Sequence, residues 1–357
     1  MTETMQAAVY RGSRKVQVEE VPVPQLLRGE LLVKVAVCGV CGTDLKKIEY
    51  GLVDPPRIFG HETAGTIERV GEGVVQWKPG DRVAINHHVP CLRPDCFYCS
   101  RQVFAQCPVY KRTGITSGFE PAGGGYAKYV RVMDWCAESG TVLIPDENSF
   151  EEASFVEPLN TCLKGIKQAR LRAGDTVFIV GQGPIGLLFT MLASSLGARV
   201  IVADLVPFRR EEALRRGAAI ALDPADPDYS DALATATKSF SSGRGADLSI
   251  VAVPATKVIS KAVSVLRPGG QTLLFAQTRL NDPVEVDAGA ICMLEKSILG
   301  SYSSDVTIQQ EAADLIFSRK IDVRGLITHR YPLERIEEAI KTASHPDERS
   351  LKVVVTP

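Results

Sequence analysis

The chain has 357 residues, which is more than one hydrophobic core usually holds, so its length predicts two domains. Hydrophobic content of 45% and charged content of 23% are typical of a globular protein, and a formal net charge of −1 excludes strong attraction to nucleic acid or an acidic membrane. Because the first residues lack the regions of a signal peptide and no apolar run reaches ~18 residues, we expect a cytoplasmic protein with no membrane partner.

The first 150 residues are predicted to form mainly strands and loops. Several short segments are rich in apolar and β-branched residues and are bounded by Gly, Pro or charged residues. These segments are residues 7–12, 16–24, 30–40, 65–71 and 81–86.

The pattern changes between residues 151 and 300, where strands alternate with helices. Apolar strands are predicted at 176–181, 200–204, 246–253 and 271–277, and helices at 184–198, 207–218 and 257–266. This alternation is typical of α/β proteins with a doubly wound parallel sheet. Residues 301–357 contain two further helices and a closing strand, which we expect to return to the first domain.

A glycine-rich turn directly follows the strand at 176–181 and opens a helix, as in a Rossmann dinucleotide site. Its candidate cofactor residues are Gly181, Gly183, Pro184, Ile185 and Gly186. Asp204 ends the next strand, where a carboxylate accepts hydrogen bonds from the adenosine ribose. Since this carboxylate would repel a 2′-phosphate, NAD is favoured over NADP. Arg209 follows closely, however, and could receive a phosphate.

Nine cysteines occur in the chain, and four of them crowd into one short segment with the spacing C-x4-C-x2-C-x7-C. Four thiolates close a tetrahedral shell around zinc and leave no open position, so this cluster predicts a structural zinc site. The predicted ligands are Cys91, Cys96, Cys99 and Cys107.

A second set of potential metal ligands is scattered along the chain and comprises Cys41, His61, Glu62 and Glu157. One thiolate, one imidazole and one or two carboxylates form an open zinc site that can accept an alcohol oxygen and promote hydride transfer. Taken singly, each residue is equally well explained as an ordinary buried cysteine or a hydrogen-bonded polar residue.

The run Gly60-His61-Glu62-x2-Gly65-x5-Gly71-x2-Val74 resembles the signature of the zinc-containing medium-chain dehydrogenases. The Cys41-Gly-Thr-Asp and Phe-Val-Glu157-Pro motifs are most similar to the sorbitol, polyol and threonine dehydrogenase branch. The resemblance implies a catalytic zinc on Cys41, His61 and Glu62, with Glu157 as an alternative ligand or as acceptor for a zinc-bound water.

The same resemblance covers essentially the whole chain and implies its domain organisation. Residues 1–150 and 301–357 would form a mainly-β, partly barrel-like (GroES-like) catalytic domain that binds zinc. Residues 151–300 would form the inserted Rossmann domain that binds NAD. The implied enzyme is a zinc-dependent oxidoreductase that transfers hydride between a secondary alcohol (a polyol, sugar or cyclitol) and NAD.

Two departures from the family pattern bear on the site. Four residues, rather than the usual two, separate Cys91 from Cys96. Lys46 stands where the polyol and threonine branches often carry a histidine near the proton exit. Thr43 can still accept the substrate hydroxyl proton, so the last acceptor in the relay is either Lys46 or the pair His87 and His88.

Several alternatives are compatible with the sequence. A threonine 3-dehydrogenase-like oxidation of an amino alcohol and a non-catalytic NADH-binding protein are both compatible with the motifs. Loops at 46–54, at 112–125 and around Tyr302 are expected to shape the pocket. Members of the family are commonly dimers or tetramers, so the resemblance implies a homodimer or homotetramer. Segment 291–302 is predicted to be the last strand of the Rossmann domain and an edge through which two chains could pair.

Overall fold

The structure is a computed structural model, and it describes residues 3–110 and 123–357. The chain divides into two compact units. Unit 1 comprises Met1–Asn160 and Ser303–Pro357, and unit 2 comprises Thr161–Tyr302. Within the described ranges no helix is long and apolar enough to cross a membrane.

The strands are, in chain order, β1 Thr4–Gly12, β2 Lys15–Pro22, β3 Leu31–Gly39, β4 Arg57–Ile58, β5 Glu62–Val70, β6 Arg82–Ile85, β7 Tyr129–Val132, β8 Thr141–Leu143, β9 Thr176–Val180, β10 Arg199–Ala203, β11 Ile220–Leu222, β12 Ala246–Val251, β13 Leu266–Leu274, β14 Ser297–Gly300, β15 Ile327–Pro332 and β16 Lys352–Thr356. The α-helices are α1 Gly42–Tyr50, α2 Asp134–Ser139, α3 Phe150–Ala153, α4 Val156–Gln168, α5 Pro184–Ser195, α6 Pro207–Arg215, α7 Tyr229–Phe240, α8 Ile259–Ser264, α9 Ala288–Met293, α10 Gln309–Phe317 and α11 Ile336–Ser344.

Unit 2 contains a six-stranded sheet with the order β11-β10-β9-β12-β13-β14, in which every pairing is parallel. This is the strand order of a Rossmann sheet, and it confirms the predicted doubly wound α/β fold. All five residues of β9 are buried, which explains its continuous apolar sequence, Thr-Val-Phe-Ile-Val, since parallel strands are covered on both faces.

Unit 1 contains two sheets, one with the order β2-β1-β4 and a larger one with the order β15-β16-β3-β5-β6-β8, to which β7 adds by pairing with β3. The closing strand β16 pairs antiparallel with β3, with Val354 opposite Gly39 and Val355 opposite Cys38. This pairing confirms the predicted return of the chain to its first domain. It also brings the C-terminal strand next to the segment that carries Cys41.

One predicted element is wrong in its bounds. The segment 291–302 was expected to be the last strand of the Rossmann domain, but it begins inside α9 and forms a strand only over Ser297–Gly300. The Asp287 side chain accepts a hydrogen bond from the Ala290 backbone N–H and caps α9, which stabilises helix where the apolar run favours strand. The remaining strand, β14, still forms the edge of the sheet.

Candidate functional site

Three of the predicted ligands converge in unit 1. Cys41 is the N-cap of α1, and its sulfur accepts a hydrogen bond from the Thr43 backbone N–H. His61 and Glu62 lie at the start of β5, and both are buried. One ligand atom from each of the three residues lies within 4.8 Å of the other two, which is close enough for a single metal ion. The thiolate, imidazole and carboxylate donors therefore fit zinc.

His61 is oriented by a carboxylate behind it. Its Nδ1 lies 3.2 Å from Asp44 Oδ1, and the Tyr126 hydroxyl donates to Asp44 Oδ2 at 3.1 Å. Metal-binding histidines commonly hold a carboxylate on the nitrogen that does not bind metal, because this sets the ring tautomer. Asp44 was visible in the Cys41-Gly-Thr-Asp motif, whereas no sequence pattern indicated Tyr126.

Glu62 has a partner that sequence reasoning missed. The Lys352 Nζ, on β16, forms a buried ion pair with Glu62 Oε2 and donates to the Val40 carbonyl at 3.2 Å. Gly39 makes room for this pair, because a Cβ at that position would lie 1.9 Å from Glu62 Oε2 and 2.8 Å from Lys352 Cε. The only signal in the sequence is a lysine among the apolar residues of the closing strand.

Charges in this cluster shift the ionisation of its members. Burial raises the pKa of Glu62, although Lys352 and His61 act against it. Burial would lower the pKa of His61, but Asp44 and Cys41 outweigh it and hold this pKa well above its ordinary value.

Glu157 lies near the start of α4, is buried, and interacts electrostatically with His61 and Glu62. It is not one of the residues whose ligand atoms meet within 4.8 Å. Burial raises its pKa, and its Oε1 lies 3.7 Å from His88 Nδ1. The position suits a carboxylate that faces a substrate or a water next to the metal site.

The histidine pair before the cysteine segment is fully buried. Burial, with the nearby His88 and His61, lowers the pKa of His87 to about 3, and burial with His61 and Lys47 lowers the pKa of His88 well below its ordinary value. Neither histidine is therefore suited to accept a proton near neutral pH. Lys46, on α1, is half-buried, and this burial lowers its pKa in the direction that a proton acceptor requires.

The four cysteines of the predicted structural site also meet. Their sulfur atoms all lie within 4.8 Å of one another, and the Cys91 and Cys99 sulfurs are 3.7 Å apart. Zn–S bonds of about 2.3 Å in a tetrahedron place sulfurs about 3.8 Å apart, so the cluster fits a zinc ion. Cys91 belongs to it despite the longer spacing, because Leu92 adopts a left-handed backbone (φ +52°) that turns the chain back.

The backbone around Cys107 favours the thiolate form of this residue. Burial opposes ionisation of Cys107, but the backbone N–H groups of Cys91, Tyr110 and Val109 outweigh it and lower the pKa of this thiol to about 7. A lowered thiol pKa favours the metal-binding form of the ligand.

In unit 2, the glycine-rich turn joins β9 to α5. Gly181 has a left-handed φ of +90°, and a Cβ on Gly186 would lie 1.8 Å from the Gly181 carbonyl oxygen, so both positions require glycine. Gly183 is the N-cap of α5, and Pro184 and Ile185 begin the helix, whose N-terminal N–H groups suit a pyrophosphate.

Asp204 follows β10 and is buried against this turn. Its Oδ2 accepts from the Gln182 backbone N–H at 2.6 Å and its Oδ1 from the Val206 backbone N–H at 2.8 Å. Each carboxylate oxygen keeps a second lone pair for a ribose hydroxyl. The Arg209 guanidinium lies 4.0 Å from the position of a Cβ on Gly183, and so next to the turn.

Among the loops expected to shape the pocket, residues 111–122 lie outside the described residues. The 46–54 loop is largely helical, because α1 extends to Tyr50 before Gly51 caps it in a left-handed conformation. Tyr302 follows β14 and is exposed.

Two family models match the chain. The alcohol dehydrogenase GroES-like domain matches residues 27–146, and the zinc-binding dehydrogenase model matches residues 184–318. The sorbitol dehydrogenase of Bacillus subtilis (strain 168) is 30% identical over 99% of this chain and 98% of its own length.

Two solved structures are also similar. A zinc-binding dehydrogenase from Sinorhizobium meliloti 1021, bound to NADP, is 28% identical with a TM-score of 0.89, over 99% of this chain and 100% of that one. Galactitol-1-phosphate dehydrogenase from Escherichia coli is 26% identical with a TM-score of 0.85, over the same shares. The chain therefore belongs to the zinc-containing medium-chain alcohol dehydrogenases, in the branch that includes the polyol dehydrogenases.

Proposed function

We propose that this chain oxidises a secondary hydroxyl of a polyol, sugar or cyclitol and passes the hydride to NAD. The observation that carries the proposal is the convergence of Cys41, His61 and Glu62 on one point beside the buried Glu157. Similarity to a sorbitol dehydrogenase and to a galactitol-1-phosphate dehydrogenase supports a polyhydroxylated substrate.

Within this proposal, each residue of unit 1 has one task. Cys41, His61 and Glu62 hold the catalytic zinc, and Glu157 stays free to face the substrate. When bound, zinc acts as a Lewis acid that lowers the pKa of the substrate hydroxyl. Asp44 keeps the His61 ring in its binding orientation.

The substrate proton leaves by way of Thr43, and Lys46 is the next acceptor. Half-burial of Lys46 lowers its pKa, which favours this role over His87 and His88. The structural zinc belongs on Cys91, Cys96, Cys99 and Cys107. In domain terms, unit 1 is the catalytic, zinc-binding part and unit 2 is the part that binds NAD.

The preferred cofactor is NAD rather than NADP, because Asp204 is a buried carboxylate at the turn where a 2′-phosphate would lie. Arg209 acts against this preference, because its guanidinium could bind the 2′-phosphate of NADP. Equilibrium titrations of NADH and NADPH decide between them: we expect NADH to bind at least roughly 10-fold more tightly, a difference of about 1.4 kcal/mol. Equal affinities would contradict the preference.

The reaction is tested by following NADH formation with NAD and a panel of sorbitol-like polyols, inositols, threonine and ethanol. Turnover with a polyol or cyclitol that a zinc chelator abolishes supports the proposal. Turnover with threonine alone would mean that the substrate is an amino alcohol rather than a polyol. NADH binding without turnover on any alcohol indicates a non-catalytic protein and contradicts it.

We also propose that the chain forms a homodimer or homotetramer through the edge of the Rossmann sheet. Strand β14 pairs on one side only among the described strands, and large apolar side chains near it are exposed, including Met293, Leu294 and Ile298. Light scattering is expected to give a mass of at least two chains, and Ile298→Lys to lower it. A monomeric wild-type mass would contradict the proposal.

The proposed location is the cytoplasm. No disulfide joins any of the nine cysteines, all of which lie in the described part of the chain, and four of them form the proposed structural metal cluster. Cysteines that form no disulfides are typical of proteins in a reducing compartment, where disulfides are rare. Cell fractionation tests this location, and recovery of the native protein from an oxidising compartment would contradict it.

A further inference from the structure

His88 lies beside the catalytic cluster without being one of its ligands. Its imidazole is edge-on to the His61 ring, with 5.3 Å between the ring centroids. On another side it stacks on Tyr110, with 5.3 Å between centroids and 22° between the ring planes. The ring is therefore held at a set distance from the proposed zinc position.

The Nδ1 atom of His88 is buried and has no hydrogen-bond partner within residues 3–110 and 123–357. Its nearest acidic atom, Glu157 Oε1, lies 3.7 Å away, which is too far for a direct hydrogen bond. Buried polar atoms without partners are rare in proteins, and at functional sites a ligand commonly completes them. Here a bound group would have to contact both the His88 ring nitrogen and the Glu157 carboxylate.

A hydroxyl group fits this gap. An oxygen placed about 2.8 Å from each atom spans 3.7 Å with a bent geometry. A hydroxyl both donates and accepts, so it can accept from the Nδ1–H of the neutral His88 ring and donate to the Glu157 carboxylate. An alkyl group at the same place would leave the buried His88 Nδ1 without a partner in the described part of the chain.

The position of His88 is fixed by a buried polar network in unit 1. The His88 backbone N–H donates to Asn86 Oδ1 at 2.9 Å. The Asn86 amide in turn donates to Ser304 Oγ at 3.0 Å and to Gln309 Oε1 at 3.2 Å. The loop that carries His88 is thus tied to the segment at the start of α10.

The same network holds the helix that carries Glu157. Asn160 follows Glu157 on α4 by one helical turn, and its amide donates to Gln309 Oε1 at 2.8 Å and to the Asp305 carbonyl at 2.9 Å. One buried glutamine therefore positions both His88 and Glu157. Preorganised polar groups of this kind lower the cost of ordering a ligand when it binds.

We infer that His88 and Glu157 form a subsite for a second hydroxyl of the substrate, adjacent to the hydroxyl that is oxidised. The inference rests on the proposed function and deepens it, because it makes the enzyme selective for vicinal diols over mono-alcohols. His88 is then a specificity-determining residue, because a substrate that lacks the second hydroxyl leaves its buried nitrogen unsatisfied.

The test compares 2,3-butanediol with 2-butanol in two matched variants. His88→Phe keeps the aromatic ring that packs on Tyr110 but removes the nitrogen. His88→Asn removes the ring but keeps a polar atom near the Nδ1 position. For each protein, kcat/KM is measured for both alcohols, and calorimetry gives the Kd of the diol for the enzyme–NADH complex. Zinc content checks that both metal sites remain loaded.

We expect His88→Phe to lower the ratio of kcat/KM for diol over mono-alcohol by roughly 10-fold or more and to weaken diol binding similarly, while His88→Asn stays within a few-fold of wild type. A ratio unchanged in His88→Phe, or one lowered only in His88→Asn, would show a packing role and overturn the inference. Loss of zinc in His88→Phe would overturn it as well. Wild-type protein that oxidises neither these alcohols nor any polyol overturns the proposed function itself.

Discussion

The ion pair between Lys352 and Glu62 is the most consequential contact at the residue scale. Both side chains are almost fully buried, and Lys352 is charged at neutral pH because Glu62 and Cys41 outweigh the effect of burial and raise its pKa. A buried pair stabilises little in total but becomes costly when one partner is removed. The C-terminal strand thereby becomes a part of the proposed catalytic centre.

Substitution of this lysine should damage both stability and the metal site. With the catalytic zinc removed, we expect Lys352→Met to lower the free energy of unfolding by about 3–5 kcal/mol, because it leaves the buried Glu62 carboxylate without its lysine partner. Urea unfolding measures this loss. In the double variant Lys352→Met/Glu62→Gln, the carboxylate is gone, and much of the stability should return. Equal losses in the single and the double variant would show that the two residues do not act as a pair.

Residues of the site differ in how far the sequence predicts them. Cys91, Cys96, Cys99 and Cys107 are close in the chain, so their spacing alone indicates a metal site, and their sulfurs do meet. Lys352 is different, because its partner Glu62 lies almost 300 residues away in the sequence, and the two meet because β5 and β16 both pair with β3. No local pattern carries that information.

At the element scale, the cysteine segment depends on its metal rather than on a core of its own. Within residues 3–110 and 123–357, few apolar side chains pack with its cysteines, among them Phe104 and Tyr110. We expect Cys107→Ser to lower zinc content from two ions per chain to about one and to expose this segment to proteolysis. Cys292→Ser, which changes an exposed cysteine, is the control and should keep both ions. A Cys107→Ser protein that retains both ions would contradict the assignment.

Helix α3 begins with a reciprocal capping box. Ser149 Oγ accepts from the Glu152 backbone N–H at 3.1 Å, and Glu152 Oε2 accepts from the Ser149 backbone N–H at 2.9 Å. The Arg319 guanidinium donates to the other Glu152 oxygen at 2.9 Å. Burial opposes ionisation of Glu152, but Arg319 and Ser149 outweigh it and lower its pKa below the ordinary value of 4.5.

The ionised Glu152 therefore contributes stability that depends on pH. Because its pKa is lower in the folded state, the stabilisation is present above the ordinary pKa and is lost as the pH falls through the folded-state pKa. We expect Glu152→Gln to lower the unfolding free energy by about 1–2 kcal/mol at neutral pH. This difference should shrink in acid, as urea unfolding at several pH values will show. A difference that grows in acid would contradict the sign.

Some helices and strands can be predicted from the sequence and others cannot. The sequence predicts β9, α5 and β10 well, because apolar runs and the glycine-rich turn mark their ends. Helix α4 was missed, since it contains Pro158 and Gly165, which usually interrupt helices. Pro158 is tolerated in the first turn, and Gly165 is useful because a Cβ there would come within 3.0 Å of Leu273.

At the scale of the whole molecule, the two units differ in how far apart in the sequence their neighbouring strands lie. Unit 2 repeats a strand–helix pattern in which sequence neighbours are usually spatial neighbours, so periodicity predicts its sheet. In unit 1 the larger sheet joins β3 and β5 to strands from the end of the chain, β15 and β16. Such pairings follow from the global fold and could only be inferred by family resemblance.

The central claim is that hydride passes from the carbinol carbon of a polyol to NAD at a zinc site built on Cys41. It is tested most directly with a polyol that carries deuterium on the oxidised carbon, followed by mass spectrometry of the NADH formed. We predict that the wild-type protein transfers the deuterium to NADH, and that Cys41→Ser, which retains the structural site, transfers none. NADH without deuterium, or equal transfer by Cys41→Ser, would contradict this account.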